Sequence, residues 1–145
     1  KAKCSSRTCN GSNRFATADP EDAKRGCLFV MIGEPIFNIT ITGDVSTKSS
    51  SNFKGWNDTL EENLSSVSSS ALAGQLLAIC MKLWINSNRF HSRRNDIDNL
   101  VKPILDALTR MGKITDDSAV CHIEVTKYQT SGPEQIIITC KEWLA

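Results

Sequence analysis

Asp96 and Asp98 stand two residues apart where a polar, basic stretch gives way to an apolar-periodic one, and a second acidic pair, Asp116-Asp117, follows that stretch. In extended backbone, side chains at i and i+2 leave the same face, so both carboxylates would project together while Ile97 anchors inward. A few carboxylates, with water filling the remaining positions, suit a hard divalent cation such as Mg²⁺. Asp117 is the candidate third acid, with Asp116 beside it as a further metal ligand. Lys102 lies one helical turn beyond Asp98, within reach of the same ligand. Arg89, Arg93 and Arg94 fall in a run without any acidic residue, and with Lys48 and Lys54 they are the candidates to contact phosphates.

The distance between the two acidic pairs is the first test of this grouping. A helix from Asn99 to Met111 spans about 18 to 20 Å at 1.5 Å per residue. Residues 112–117, extended at roughly 3.3 Å each, retrace about that length. Asp117 can therefore return to Asp98 within one subunit, but only just, and a site completed across a dimer stays open.

Each residue also has a plainer reading. An aspartate at a helix start is commonly a cap, and Asp116-Asp117 before a strand suits a turn. Lys102 and Asp106 have the spacing of an exposed i,i+4 ion pair, worth a few tenths of a kcal/mol. Arg93-Arg94 fits a solvated loop, and His91 and His122 fit structural roles.

The elements that must position these groups follow from the pattern. The chain has 145 residues, enough for one domain with one core. At 40% hydrophobic and 23% charged it reads as globular, and its apolar runs fall short of a membrane span. Net charge is +1, which decides little, because carboxylates for a metal would cancel basic residues in the count. No signal peptide is expected, and a chain that begins with Lys1 fits a processed product, a tag remnant or a domain cut from something larger.

Residues 1–33 read as a polar extension, weakly ordered or adding an edge strand at 27–32, and residues 34–145 as the functional domain. Ile36 to Thr42 alternates as a strand. After a loop from Gly43 to Gly55, Asp58 and Glu61 have capping-box spacing ahead of a short helix through Leu60, Leu64 and Val67. Leu76 to Ile85 reads as a strand buried on both faces, and 86–94 as a loop. Asp98 or Asn99 caps a helix that runs to Met111, stops at Gly112 and holds Pro103 in its first turn. Ala119 to Tyr128 and Gln135 to Trp143, joined through Ser131-Gly132-Pro133, form a hairpin. The order β-α-β-α-β-β makes an α/β (α+β) domain: a mixed sheet with two helices packed on it.

Of six cysteines, Cys80, Cys121 and Cys140 sit in apolar runs and read as small buried hydrophobes. With no C-x-x-C pair and two histidines, no zinc site is expected. A Cys4–Cys9 disulfide would require an oxidising compartment, and Cys27 has no assigned role.

The run Arg94-Asn95-Asp96-Ile97-Asp98-Asn99-Leu100-Val101-Lys102-Pro103-Ile104-Leu105-Asp106-Ala107-Leu108, then Gly112, then Asp116-Asp117-Ser118, resembles the signature of the RusA-type Holliday junction resolvases. That family has D-x-D-N-L-x-K at a helix start, D-A-L at mid-helix and D-D before the next strand. The resemblance covers about three quarters of the chain and includes the element order. It implies a homodimer that cuts four-way DNA junctions, with Mg²⁺ (Mn²⁺ as a substitute) on Asp96, Asp98 and Asp117, and Lys102 as the functional lysine. Asn95 stands where the family can carry a basic residue, and the Lys48 to Lys54 loop matches loosely. Action in the cytoplasm, on DNA and away from membranes, is the corresponding expectation.

Two rival readings are kept. One is a RusA-like nuclease toxin domain of a larger secreted protein, acting on general DNA and held by an immunity protein. The other is a non-catalytic DNA-binding protein on the same fold, which calorimetry would favour by showing no metal binding.

Overall fold

Within Leu77–Asn86 only Lys82 and Asn86 are polar, and a run this apolar can be covered only from both sides. It forms β2, the long inner strand of a four-stranded mixed sheet in the computed structural model, which describes residues 34–143. The element order is β1 (Phe37–Thr42), α1 (Phe53–Ser65), β2, a helical turn α2 (Ser87–Phe90), a 3-10 turn at Arg93–Asn95, α3 (Ile97–Arg110), a second 3-10 turn at Asp117–Ala119, β3 (Val120–Thr130) and β4 (Gln135–Glu142). The expected mixed α+β sheet with helices on it is therefore what the chain forms; the short α2 adds a third helix. The extension at 1–33, the edge strand anticipated there, and Cys4, Cys9 and Cys27 lie outside the described residues.

The sheet order is β1-β4-β2-β3. β3 and β4 are consecutive and were expected as a hairpin, yet β2 lies between them. β4 pairs antiparallel with both β1 and β2, while β3 runs parallel to β2. The cause is burial: β2 has apolar residues on both faces and gains most between two neighbours. Residues 131–134 need only cross two strand spacings, about 10 Å, well within the reach of four residues.

One sheet face meets the helices. Ile79, Met81, Leu83 and Ile85 of β2 join Ile41, Ile136 and Ile138 against Trp56, Leu60 and Leu64 of α1 and Leu100, Ile104 and Leu108 of α3. α1 begins five residues before the expected Asp58 start. Trp56 is the reason: it extends the Leu60–Leu64 stripe back one turn and is fully buried. Asp58 is thus inside the helix, bonded to Lys54 at 3.1 Å, and caps nothing.

α3 also begins earlier than expected, at Ile97, so Pro103 falls in its second turn rather than its first. A proline there removes one backbone hydrogen bond, leaving the Asn99 carbonyl without its i+4 donor. Gly112 ends α3 as anticipated, at φ +72°, with Gly112 N bonded to Thr109 O at 3.0 Å and Lys113 N to Leu108 O at 2.9 Å. These two bonds form the paired closure that a left-handed residue after a helix permits.

The cysteines divide. Cys140 and Cys80 are buried as expected, Cys140 with a free thiol and Cys80 disulfide-bonded, but Cys121 is exposed. Among the described residues no helix is long and apolar enough to cross a membrane.

Candidate active site

Because the helix starts at Ile97, Asp96 rather than Asp98 or Asn99 is its N-cap. Its backbone is extended (φ −64°, ψ 153°) and its carbonyl accepts from Leu100 N at 3.0 Å. Its carboxylate, however, makes no capping hydrogen bond. An aspartate at this position ordinarily turns its oxygen onto an amide of the first turn. Here the oxygens are left to solvent, at the positive end of the helix dipole. Asp98 follows in the first turn, also exposed. Ile97 does not anchor inward as expected; it is 42% exposed, since the first helical turn rotates it out of the core.

Asp98, Lys102 and Asp106 succeed one another at four-residue spacing, so they share one face of α3. Lys102 is exposed and forms no ion pair among the described residues. Asp106 pairs with Lys48 rather than with Lys102. The loop bearing Lys48 is held down by its buried residues Val45, Ser46 and Thr47. It therefore brings Lys48 against this face of α3, one turn from Lys102.

The approach to Asp96 is cross-linked. Asn95 is buried and its side-chain amide donates to Arg89 O at 2.9 Å. Arg93 and Arg94, in the turn just before it, are exposed. Arg89, grouped with them as a phosphate contact, is engaged elsewhere: its guanidinium binds the buried Glu134 carboxylate and, at 2.6 Å, the Val45 carbonyl. Lys54 bonds to Asp58 on α1.

The second acidic pair splits into two roles. Asp116 caps the Asp117–Ala119 turn, accepting from the Ser118 hydroxyl and, at 3.3 Å, the Ser118 amide. The Ser118 hydroxyl first, and its amide next, hold the Asp116 carboxyl below the usual carboxylate range. That is the turn chemistry of the plainer reading. Asp117 is exposed with its carboxylate outside the cap.

The sheet register keeps Asp117 away from Asp96 and Asp98 within one chain. β2 and β3 are parallel, with Leu77 beside Val120 and Asn86 beside Thr130. The chain leaves β2 at the Asn86 end, so α3 runs back towards the Val120 end. Lys127, near the far end of β3, bonds Asn95 O at 2.9 Å and so marks where α3 begins. Seven residues at about 3.3 Å separate Lys127 from Val120, which puts Asp117 on the order of 20 Å from Asp96. Accordingly, no three His, Cys, Asp or Glu residues among those described are grouped so as to hold a metal ion. The return of Asp117 to Asp98 inside one subunit is not what the register gives.

The donor chemistry of the first pair still suits a divalent cation. Two exposed carboxylates that form no hydrogen bond or ion pair among the described residues match the low protein coordination that Mg²⁺ accepts. Two residues essential to this geometry were not singled out from sequence. Lys127 continues the parity of Ile123 and Val125, and a cation placed on the inward side of an alternating strand was the available signal. Glu134 carried none, since it sits in the turn after Pro133.

Residues 71–141 match the family model described as endodeoxyribonuclease RusA, a stretch that runs from before β2 into β4 and holds Asp96, Asp98, Lys102, Asp116 and Asp117. Over this stretch, just under half of its length, the chain is similar to the RusA endodeoxyribonucleases. No curated protein matches the chain.

Proposed function

We propose that the protein is a divalent-metal-dependent endodeoxyribonuclease that acts on branched DNA as a homodimer. The observation that carries this is the start of α3: an N-cap aspartate whose carboxylate does not cap, followed by a second exposed aspartate and, one turn on, an exposed lysine with no ion pair among the described residues.

Asp96 and Asp98 would hold the ion, Mg²⁺ with Mn²⁺ as a substitute, and Asp117 of a second copy would complete its carboxylate set. When bound, such an ion neutralises non-bridging phosphate oxygens and makes water a stronger nucleophile near neutral pH. Lys102, on the Asp98 face, orients the attacking water or offsets the charge that builds on the phosphate. Arg93 and Arg94 contact flanking phosphates; Lys48, tied to Asp106, lines the same face, while Lys54 and Arg89 already have carboxylate partners. Asp116 shapes the turn that presents Asp117 instead of binding metal. A two-fold dimer would carry two such sites, which suits paired cuts in a four-way junction.

The test is cleavage of a four-way junction, a linear duplex and RNA, each with Mg²⁺ and with EDTA. Metal-dependent cutting confined to the junction is expected. Equal cutting of linear duplex would instead favour a general nuclease released from a larger secreted protein and restrained by an immunity partner. One observation leans that way: Cys80 is disulfide-bonded, and such bonds persist in oxidising compartments. Action in the cytoplasm goes with the junction reading.

A further inference from the structure

Val125 packs against the core on the helix side of the sheet, and Lys127, two residues on, points the same way. Its Nζ donates to the carbonyls of Phe90 and Asn95, both at 2.9 Å, and lies 4.3 Å from the centroid of the Phe90 ring. These carbonyls are the two ends of the segment that displays Arg93 and Arg94 and delivers the chain to Asp96. The Asn95 side chain ties the same segment back to Arg89. A six-residue connection is thus closed from below by one ammonium.

We infer that Lys127 is a positioning residue for the cation site, pinning residues 90–95 to β3 so that the Asp96 and Asp98 carboxylates are held at a fixed separation. This rests on the proposed function for the identity of the ligand, though not for the pinning itself. Two carboxylates at one helix start repel each other until a cation arrives, and a loosely tethered segment would let them swing apart. Lys127 resists that swing mechanically through its two carbonyl bonds. Two of the three ammonium donors are committed to these backbone oxygens.

The experiment compares wild type, Lys127→Met and Lys127→Arg by hydrogen exchange and by Mn²⁺ titration in a calorimeter, neither of which requires cleavage. In Lys127→Met, amides of residues 91–97 should exchange about tenfold faster while those of β2 and α1 keep their protection. Mn²⁺ affinity should fall about tenfold or more, the size of effect that groups supporting metal ligands exert. Lys127→Arg, which keeps the charge, should lie between the two. Unchanged exchange at 91–97 with unchanged Mn²⁺ affinity overturns the inference. Uniformly faster exchange across the domain also overturns it, since that marks a general loss of stability. Wild type that binds Mn²⁺ without cutting DNA would count against the nuclease reading while leaving the role of Lys127 to these two readouts.

Discussion

The guanidinium of Arg89 is committed to the carboxylate of Glu134, 45 residues further along the chain. Glu134 also accepts from Val45 N at 3.1 Å and Asn86 N at 2.8 Å, so one buried carboxylate joins the β1–α1 loop, the end of β2 and the short α2. A residue of the basic run is thereby a strut between elements.

Arg89→Ala should lower unfolding stability by about 2–3 kcal/mol. The buried carboxylate loses its counter-charge but keeps two amide donors, and Arg89 is 35% exposed, so the loss falls below that of a fully buried pair. A urea melt reads this directly. Were Arg89 instead a phosphate contact, stability would hold and only DNA affinity would fall.

Arg93→Ala and Arg94→Ala should leave the melt within about 0.5 kcal/mol, as surface changes usually do. Each should weaken junction binding and reduce the slope of log K against log salt by about one. Binding isotherms at several salt concentrations measure both. Unaltered slopes would return these arginines to the solvated loop of the plainer reading.

Asp98→Asn and Asp117→Asn should each lose at least the roughly hundredfold that even supporting groups contribute at metal sites, with junction binding retained. Mixing the two variants should restore cutting. In a mixed dimer one site carries both defects and the other carries none, so random mixing returns about a quarter of the wild-type sites. Nicking of a labelled junction after co-refolding is the measurement. Restoration requires that Asp98 and Asp117 meet across two copies; a mixture as dead as its parents would place the site within one chain.

Lys102→Ala should reduce turnover by about a hundred- to a thousandfold, the range for removing one group that meets charge in the transition state, with junction affinity nearly unchanged. Single-turnover cleavage beside binding separates the two effects.

Burial pushes the Cys140 thiol up to about 12, so it stays protonated in the folded chain where an unfolded one would ionise. A raised folded-state pKa gives stability that is whole below the unfolded value, about 8.5, and is lost as pH rises towards 12. Lys82 and Lys127, whose pKa values burial lowers, act in the opposite direction over part of that window. The difference in alkaline stability between wild type and Cys140→Ala should isolate the thiol: the variant should lose less stability on going above pH 8.5. Cys121, being exposed, should label with a thiol reagent at once, and Cys140 only on unfolding.

What the amino-acid order determined by itself is local. Alternation at Ile36–Thr42, the unbroken apolar run at Leu77–Ile85, the stripe through Leu100, Ile104 and Leu108, and Gly112 as its stop are read within a few residues, because strand and helix periods leave their mark over that range. The spacing of Asp96, Asp98 and Lys102 around one helix start is of the same kind. Which strands are neighbours was decided only by the assembled sheet. β2 displaced the expected hairpin because an apolar run needs cover on both sides, wherever in the chain that cover comes from. The same pairing sent α3 and β3 in opposite directions and set Asp117 at the far end from Asp96. It also brought Lys127 beneath Asn95 and Glu134 beneath Arg89, partnerships between residues 32 and 45 positions apart. Contacts of that range leave no periodic trace, since they are selected by the burial of charge and backbone in three dimensions.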